Sequence, residues 1–176
     1  MRYGQYFDTS IGKLYLEVEE GCLVGLSCSE GDGSGTGKPS EEERATERKN
    51  SDKPDAAAVE LMDRVMSEVA EYLEGKRRAF DIPLHTGGTA FQEKVWAALR
   101  EIPYGKTCSY GEIAGAVGSP RGARAVGMAC NRNPILLFTP CHRVIGSTGK
   151  LVGFAGGLEV KKHLLELESG EQESGE

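Results

Sequence analysis

Cys141 and His142 are adjacent in the run Thr139-Pro140-Cys141-His142-Arg143-Val144-Ile145-Gly146. A cysteine attacks as its thiolate, and a neighbouring imidazole and guanidinium supply positive surroundings that favour that form. A bare Cys-His pair is more ordinarily a buried structural thiol beside a satisfied histidine. The elements around the pair must decide between a nucleophile and a packed residue.

Upstream, Asn133-Pro134 ends a helix, and the apolar run Ile135-Leu136-Leu137-Phe138 reads as a buried, strand-like approach to the cysteine. Thr89 caps a helix with Gln92 in the reciprocal position and Phe91, Val95 and Leu99 on one face. Ser109-Tyr110-Gly111-Glu112 is a second capping box, opening a short helix through Val117 that Gly118 closes. Ser119-Pro120 is the expected start of the next helix, since Ser caps well and Pro fits the first helical position. Two short helices joined by a tight turn make a helix-turn-helix candidate, with Arg121, Arg124 and Arg132 on or near the second. Many helix pairs in all-α cores share that pattern.

The N-terminal part has a different character. Short alternating runs at Tyr3 to Phe7, Lys13 to Val18 and Cys22 to Ser27 predict a small antiparallel sheet. Helical spacing of Val59, Met62, Val65, Val69 and Tyr72 predicts a helix over Ala56 to Leu73 that covers it. Between them Ser27 to Ala58 lacks any large apolar residue, so a flexible acidic loop is expected at about 29–57. The fold class is therefore α+β. Residues 1–85 form a sheet-and-helix domain, 86–169 a mainly helical domain with the helix-turn-helix, and 170–176 a disordered acidic tail.

Net charge is −6, which by itself argues against a polyanionic partner. Its distribution does not. Residues 1–90 carry 11 Lys/Arg against 18 Asp/Glu, 91–165 carry 10 against 4, and 166–176 carry none against 5. A block of +6 inside an acidic chain suits a phosphate-binding surface, although a solvated charged face would give the same count. No apolar run is long enough to cross a bilayer, and the start Met1-Arg2-Tyr3-Gly4-Gln5 lacks the apolar stretch of a signal peptide, so a soluble cytoplasmic protein without a membrane partner is expected. Five scattered cysteines suit reduced thiols rather than a disulfide framework. Cys22, Cys28 and His85 do not match a tight zinc spacing, and Cys108 and Cys130 read as small buried hydrophobes, so neither a metal nor another cofactor is expected.

Several longer runs occur in one order: Phe91 to Leu99 (FQEKVWAAL), Ile102 to Ala114 (IPYGKTCSYGEIA), Ala123 to Gly127 (ARAVG), Asn133-Pro134, Pro140 to Gly146 (PCHRVIG) and Gly153 to Leu158 (GFAGGL). Together they closely resemble the O6-alkylguanine-DNA alkyltransferase family over essentially all of residues 89–168. The N-terminal part is similar to the family only in general style.

The resemblance implies DNA repair by irreversible, single-use transfer of an alkyl group from O6 of guanine to Cys141. His142 would be the base, acting through a water, with Glu168 orienting it, Tyr110 assisting departure of the guanine and Asn133 tying the helix-turn-helix to the active-site loop. Val144, Ala155 and Gly156 would line the guanine; this chain has Ala155 where family members often have Ser. Arg124 would fill the space left by the flipped nucleotide, with Ala123 and Arg132 also on the DNA-binding helix. That helix would lie in the minor groove of double-stranded DNA without sequence specificity, in a monomer. Non-repairing sensors of alkylated guanine lack the cysteine present here. A helix-turn-helix transcription regulator would need an operator-reading dimer element, and a Cys-His thiol hydrolase an acyl-substrate signature; neither is visible.

Overall fold

Glu20 and Gly21 both take positive φ, 48° and 80°, the combination that a two-residue type I′ hairpin requires. The computed structural model describes residues 2–28, 53–149 and 157–170. In it the hairpin joins β2 (Gly12–Glu19) to β3 (Cys22–Cys28), and β1 (Arg2–Thr9) pairs antiparallel with the other edge of β2. Leu14, Leu16 and Val18 alternate inward along β2. Leu23 and Leu26 of β3 are three apart and would face opposite sides of a regular strand, yet both are buried. A bulge resolves this: Val18 pairs with Leu23 and Leu16 with Leu26, so β3 carries one extra residue.

Helix α1 (Ala56–Leu73), capped by Asp55, lays Val65, Val69 and Tyr72 into this core. The free edge of β3 is not left open. The Leu23 amide donates to Pro83 O and Leu23 O accepts from His85, while the Leu26 amide donates to Pro134 O and Leu26 O accepts from Leu136, at 2.8–3.1 Å. The linker and the approach to Cys141 thus extend the N-terminal sheet by short parallel bridges, satisfying an edge that would otherwise invite another strand.

The second half is mainly helical, and the whole is an α+β fold. Helix α2 (Ala90–Arg100) has both halves of the Thr89–Gln92 capping box. After it come a two-residue strand β4 (Cys108–Ser109), α3 (Tyr110–Ala116), α4 (Ala123–Asn131), a 3-10 turn (Cys141–Arg143), β5 (Val144–Ile145) parallel to β4, and α5 (Leu158–Ser169). The Trp96 indole donates to Ala129 O at 2.9 Å and fastens α2 to α4.

Two expectations need correction. Ser119-Pro120 does not start α4: the Gly122 amide closes a turn onto Ser119 O at 2.7 Å, and a Cβ on Gly122 would lie 2.6 Å from Ser119 Oγ, so the helix begins at Ala123. Nor is Ile135–Phe138 a strand. Ile135 makes one bridge, then Leu137 turns at φ 67° as the Phe138 amide donates to Leu136 O, a γ-turn that costs about 1–3 kcal/mol in a non-glycine residue. The expected flexible loop at about 29–57 lies outside the described residues except for 53–57, and the tail outside them except for Gly170.

Candidate active site

A second tight turn presents the cysteine. Pro140, at φ −83° and ψ 68°, has the geometry of an inverse γ-turn, and the Cys141 amide donates back to Thr139 O at 2.9 Å. Asn133 fastens the segment from within: its Nδ2 donates to Thr139 O at 2.7 Å, and its Oδ1 accepts from the Ile135 amide at 3.0 Å. One buried side chain thereby joins the end of α4 to the turn carrying Cys141.

In the 3-10 turn successive side chains diverge by roughly 120°, and Cys141, His142 and Arg143 separate accordingly. His142 is fully buried, with Nε2 2.5 Å from Glu168 Oε2. Arg143 was expected beside the thiol; instead its Nε lies 2.6 Å from Glu168 Oε1, its Nη2 3.0 Å from Oε2, and its Nη1 donates to Ile102 O. Glu168 also accepts from the Gly105 amide at 3.4 Å and from the hydroxyl of Tyr72. Burial opposes its ionisation, but donation from His142 and Arg143 outweighs that and holds the carboxyl at about 2.

An ionised Glu168 fixes the tautomer of His142. Nε2 must carry the proton that meets the carboxylate, which leaves Nδ1 a lone pair. That Nδ1 is buried without a hydrogen-bond partner. Burial pushes the imidazole below its ordinary range despite the neighbouring carboxylate, so the resting ring is a neutral acceptor.

The thiol has a different set of neighbours. Burial pushes the Cys141 thiol up, countered by Asn133 and by the charge of Lys161. Lys161 lies on α5, fully buried, with its Nζ 6.0 Å from the Tyr110 ring centroid. Tyr110 opens α3 half-buried, and burial raises its hydroxyl to about 12, helped by nearby Cys130 and Cys141. A protonated phenol, a lysine and a thiol therefore lie within electrostatic reach of one another.

The remaining sequence candidates divide clearly. Val144 is buried beside this centre, its amide donating to Cys141 O. Arg124 stands exposed on α4 and Arg132 exposed just past its end, with Ala123 half-buried at its start. Ala155 and Gly156 lie outside the described residues. Among the described residues no three His, Cys, Asp or Glu side chains form a metal-holding group, and no helix is long and apolar enough to cross a membrane.

Sequence reasoning missed Lys161 and Tyr72. Lys161, Leu164 and Glu168 follow i, i+3, i+7 spacing on α5, which puts two charged residues on a buried stripe. Tyr72 was read as a core residue, although a buried phenol needs a partner for its hydroxyl.

Comparison with known proteins adds an independent observation. Residues 90–170 match the family described as 6-O-methylguanine DNA methyltransferase, DNA binding domain. The chain is 54% identical over 101 residues to a methylated-DNA–protein-cysteine methyltransferase of Methanosarcina acetivorans and 54% identical to the inducible one of Bacillus subtilis. Each match takes in 57% of this chain, but only 65% and 56% of those proteins, just under two thirds of the first. Solved structures match more fully. Mycobacterium tuberculosis O6-methylguanine methyltransferase superposes with TM-score 0.79 at 40% identity, covering 97% of this chain and 94% of that one. Mycobacterium tuberculosis OGT in complex with DNA gives 0.78 at 39%, covering 95% and 92%.

Proposed function

Because this chain belongs to the 6-O-methylguanine DNA methyltransferase family, we propose that it repairs DNA by transferring the alkyl group of O6-alkylguanine to its own Cys141, once per molecule. The observation that carries this reading is the buried, unpartnered Nδ1 of His142, whose Nε2 is held by Glu168. A ring so fixed can accept one proton from the thiol through an intervening water.

The thiolate sulfur then bonds to the alkyl carbon while the carbon–O6 bond breaks and its electron pair stays on the guanine. That leaving group needs a proton. Tyr110, kept protonated by burial, donates toward it and regains a proton from the imidazolium of His142, so the thiol proton ends on guanine. Lys161 stabilises both anions as they form. The product thioether has no good leaving group, so each molecule acts once.

An O6 substituent inside a duplex cannot reach a buried sulfur unless the nucleotide leaves the stack. Arg124, exposed on α4, fills the vacated space. Ala123 and Gly127 allow that helix close approach in the minor groove, Arg132 adds a phosphate contact, and recognition is independent of sequence. Val144 lines the guanine. The protein works as a monomer, inside the cell, on double-stranded DNA.

Cys141→Ser tests the chemistry apart from recognition. It is expected to bind duplex containing O6-methylguanine as tightly as wild type and to transfer nothing, serine being a far weaker nucleophile at neutral pH. Transfer by that variant would refute the assignment.

A further inference from the structure

Tyr72 belongs to α1, the helix that covers the N-terminal sheet, yet its hydroxyl ends inside the catalytic network. It is fully buried, its ring 5.2 Å from that of Phe80 and edge-on to Tyr104 at 6.2 Å. The hydroxyl meets Oε2 of Glu168, the same oxygen that holds Nε2 of His142, and lies 3.3 Å from that nitrogen. A buried phenol could have been satisfied by a backbone carbonyl. Here it is spent on the carboxylate that orients the base.

We propose that Tyr72 is a positioning residue for alkyl transfer, its hydroxyl holding Glu168 in place and limiting how strongly that carboxylate polarises His142. The inference rests on the function proposed above and makes an element of the N-terminal half part of the reaction centre.

The direction of the effect follows from counting donors. Oε2 of Glu168 receives the Tyr72 hydroxyl, Nε2 of His142 and Nη2 of Arg143. Burial, and then the charge of Glu168, push the Tyr72 hydroxyl far above its ordinary range, so it stays a donor at any working pH. Removing this donor leaves more of the carboxylate's charge to the His142 N–H, which stabilises the imidazolium. The other groups facing the ring are unchanged: Lys161 on α5 and Arg143 on its own turn oppose a charged imidazole, and in the proposed reaction Cys141 gives its proton to the ring. His142 should therefore become more basic in Tyr72→Phe. Below its titration point the ring is already protonated and cannot take the thiol proton, so the acid limb of the rate profile should move to higher pH.

The test is single-turnover transfer by the full chain from saturating O6-methylguanine duplex, followed from acid to neutral pH for wild type and Tyr72→Phe. An upward move of the acid limb by about half to one pH unit is expected, with duplex affinity unchanged. A lower melting temperature with the limb unmoved would show that Tyr72 only packs, and would overturn the inference while leaving the proposed function intact. Absence of transfer by wild type would instead remove the proposed function. If Tyr72→Phe fails to fold, proton NMR of the wild-type chain decides: a slowly exchanging Tyr72 hydroxyl proton with a nuclear Overhauser contact to the His142 ring is expected, and a rapidly exchanging hydroxyl without it contradicts the inference.

Discussion

Lys161 and Glu168 stand two helical turns apart on one buried face of α5, Lys161 toward the thiol of Cys141 and Glu168 toward the imidazole of His142. A single helix thus supplies a basic group near the thiol and the carboxylate that holds the imidazole, a cation and an anion on the two sides of the proposed proton transfer. Lys161→Met keeps the length and removes the charge. Transfer should slow by ten-fold or more at neutral pH and recover in part at higher pH, because the Cys141 thiol, already pushed up by burial, then needs more alkaline solution to ionise. Single-turnover rates across pH check this; a uniform loss at every pH would mean that Lys161 supports packing instead.

Glu168 has a stability role that its sequence position hides. Its carboxyl is held at about 2 against an ordinary 4.5. The folded state therefore binds fewer protons than the unfolded state in that interval, and stability present above 4.5 is lost as pH falls through about 2. His142, lowered by burial, acts in the same direction below its ordinary 6.5, since only the unfolded chain protonates readily there. Glu168→Gln should remove most of the acid-sensitive stability. It should also lower stability near neutral pH by about 3–5 kcal/mol, because Arg143 is left buried without its counter-charge, and slow transfer by orders of magnitude. Melting temperature measured against pH gives the answer, and parallel wild-type and variant curves would contradict it.

Asn133 bridges two backbone groups, accepting from the Ile135 amide and donating to Thr139 O. Asn133→Ala leaves the Ile135 amide buried without that acceptor, while Thr139 O keeps the Cys141 amide, and should cost roughly 1–3 kcal/mol, with slower transfer because the turn carrying Cys141 loosens. Chemical denaturation measures the first effect. A loss below about 1 kcal/mol would show that the turn holds itself.

Much of this was legible in sequence because the signals were local. The alternating runs, the Thr89–Gln92 capping box and the Cys141-His142 pair each depend on residues a few positions apart. The γ-turns at Leu137 and Pro140 were not legible: a positive φ at a leucine is imposed by surrounding contacts, and an apolar run alone reads equally as strand. The direction of Arg143 was missed because chain neighbours in a 3-10 turn point to different sides. Tyr72 was missed because its partner lies 96 positions away, and residue type reveals only that a partner must exist.

Arg124 should matter for duplex and not for a small free substrate. It is exposed on α4, and its proposed role is to hold the stack open once the guanine has left. Arg124→Ala is expected to slow repair of alkylated duplex ten-fold or more while leaving reaction with free O6-benzylguanine near the wild-type rate. Equal losses on both substrates would place Arg124 in support of the fold or of the reaction centre.

The most direct measurement is the mass of the intact protein after mixing with excess duplex containing O6-methylguanine, followed by location of the added group in its peptides. The predicted result is one methyl group per molecule, on Cys141, with no further repair when fresh duplex is added. A methyl on any other residue, repair of more than one lesion per molecule, or tight binding of the lesion with no gain in mass would each contradict single-use transfer to Cys141.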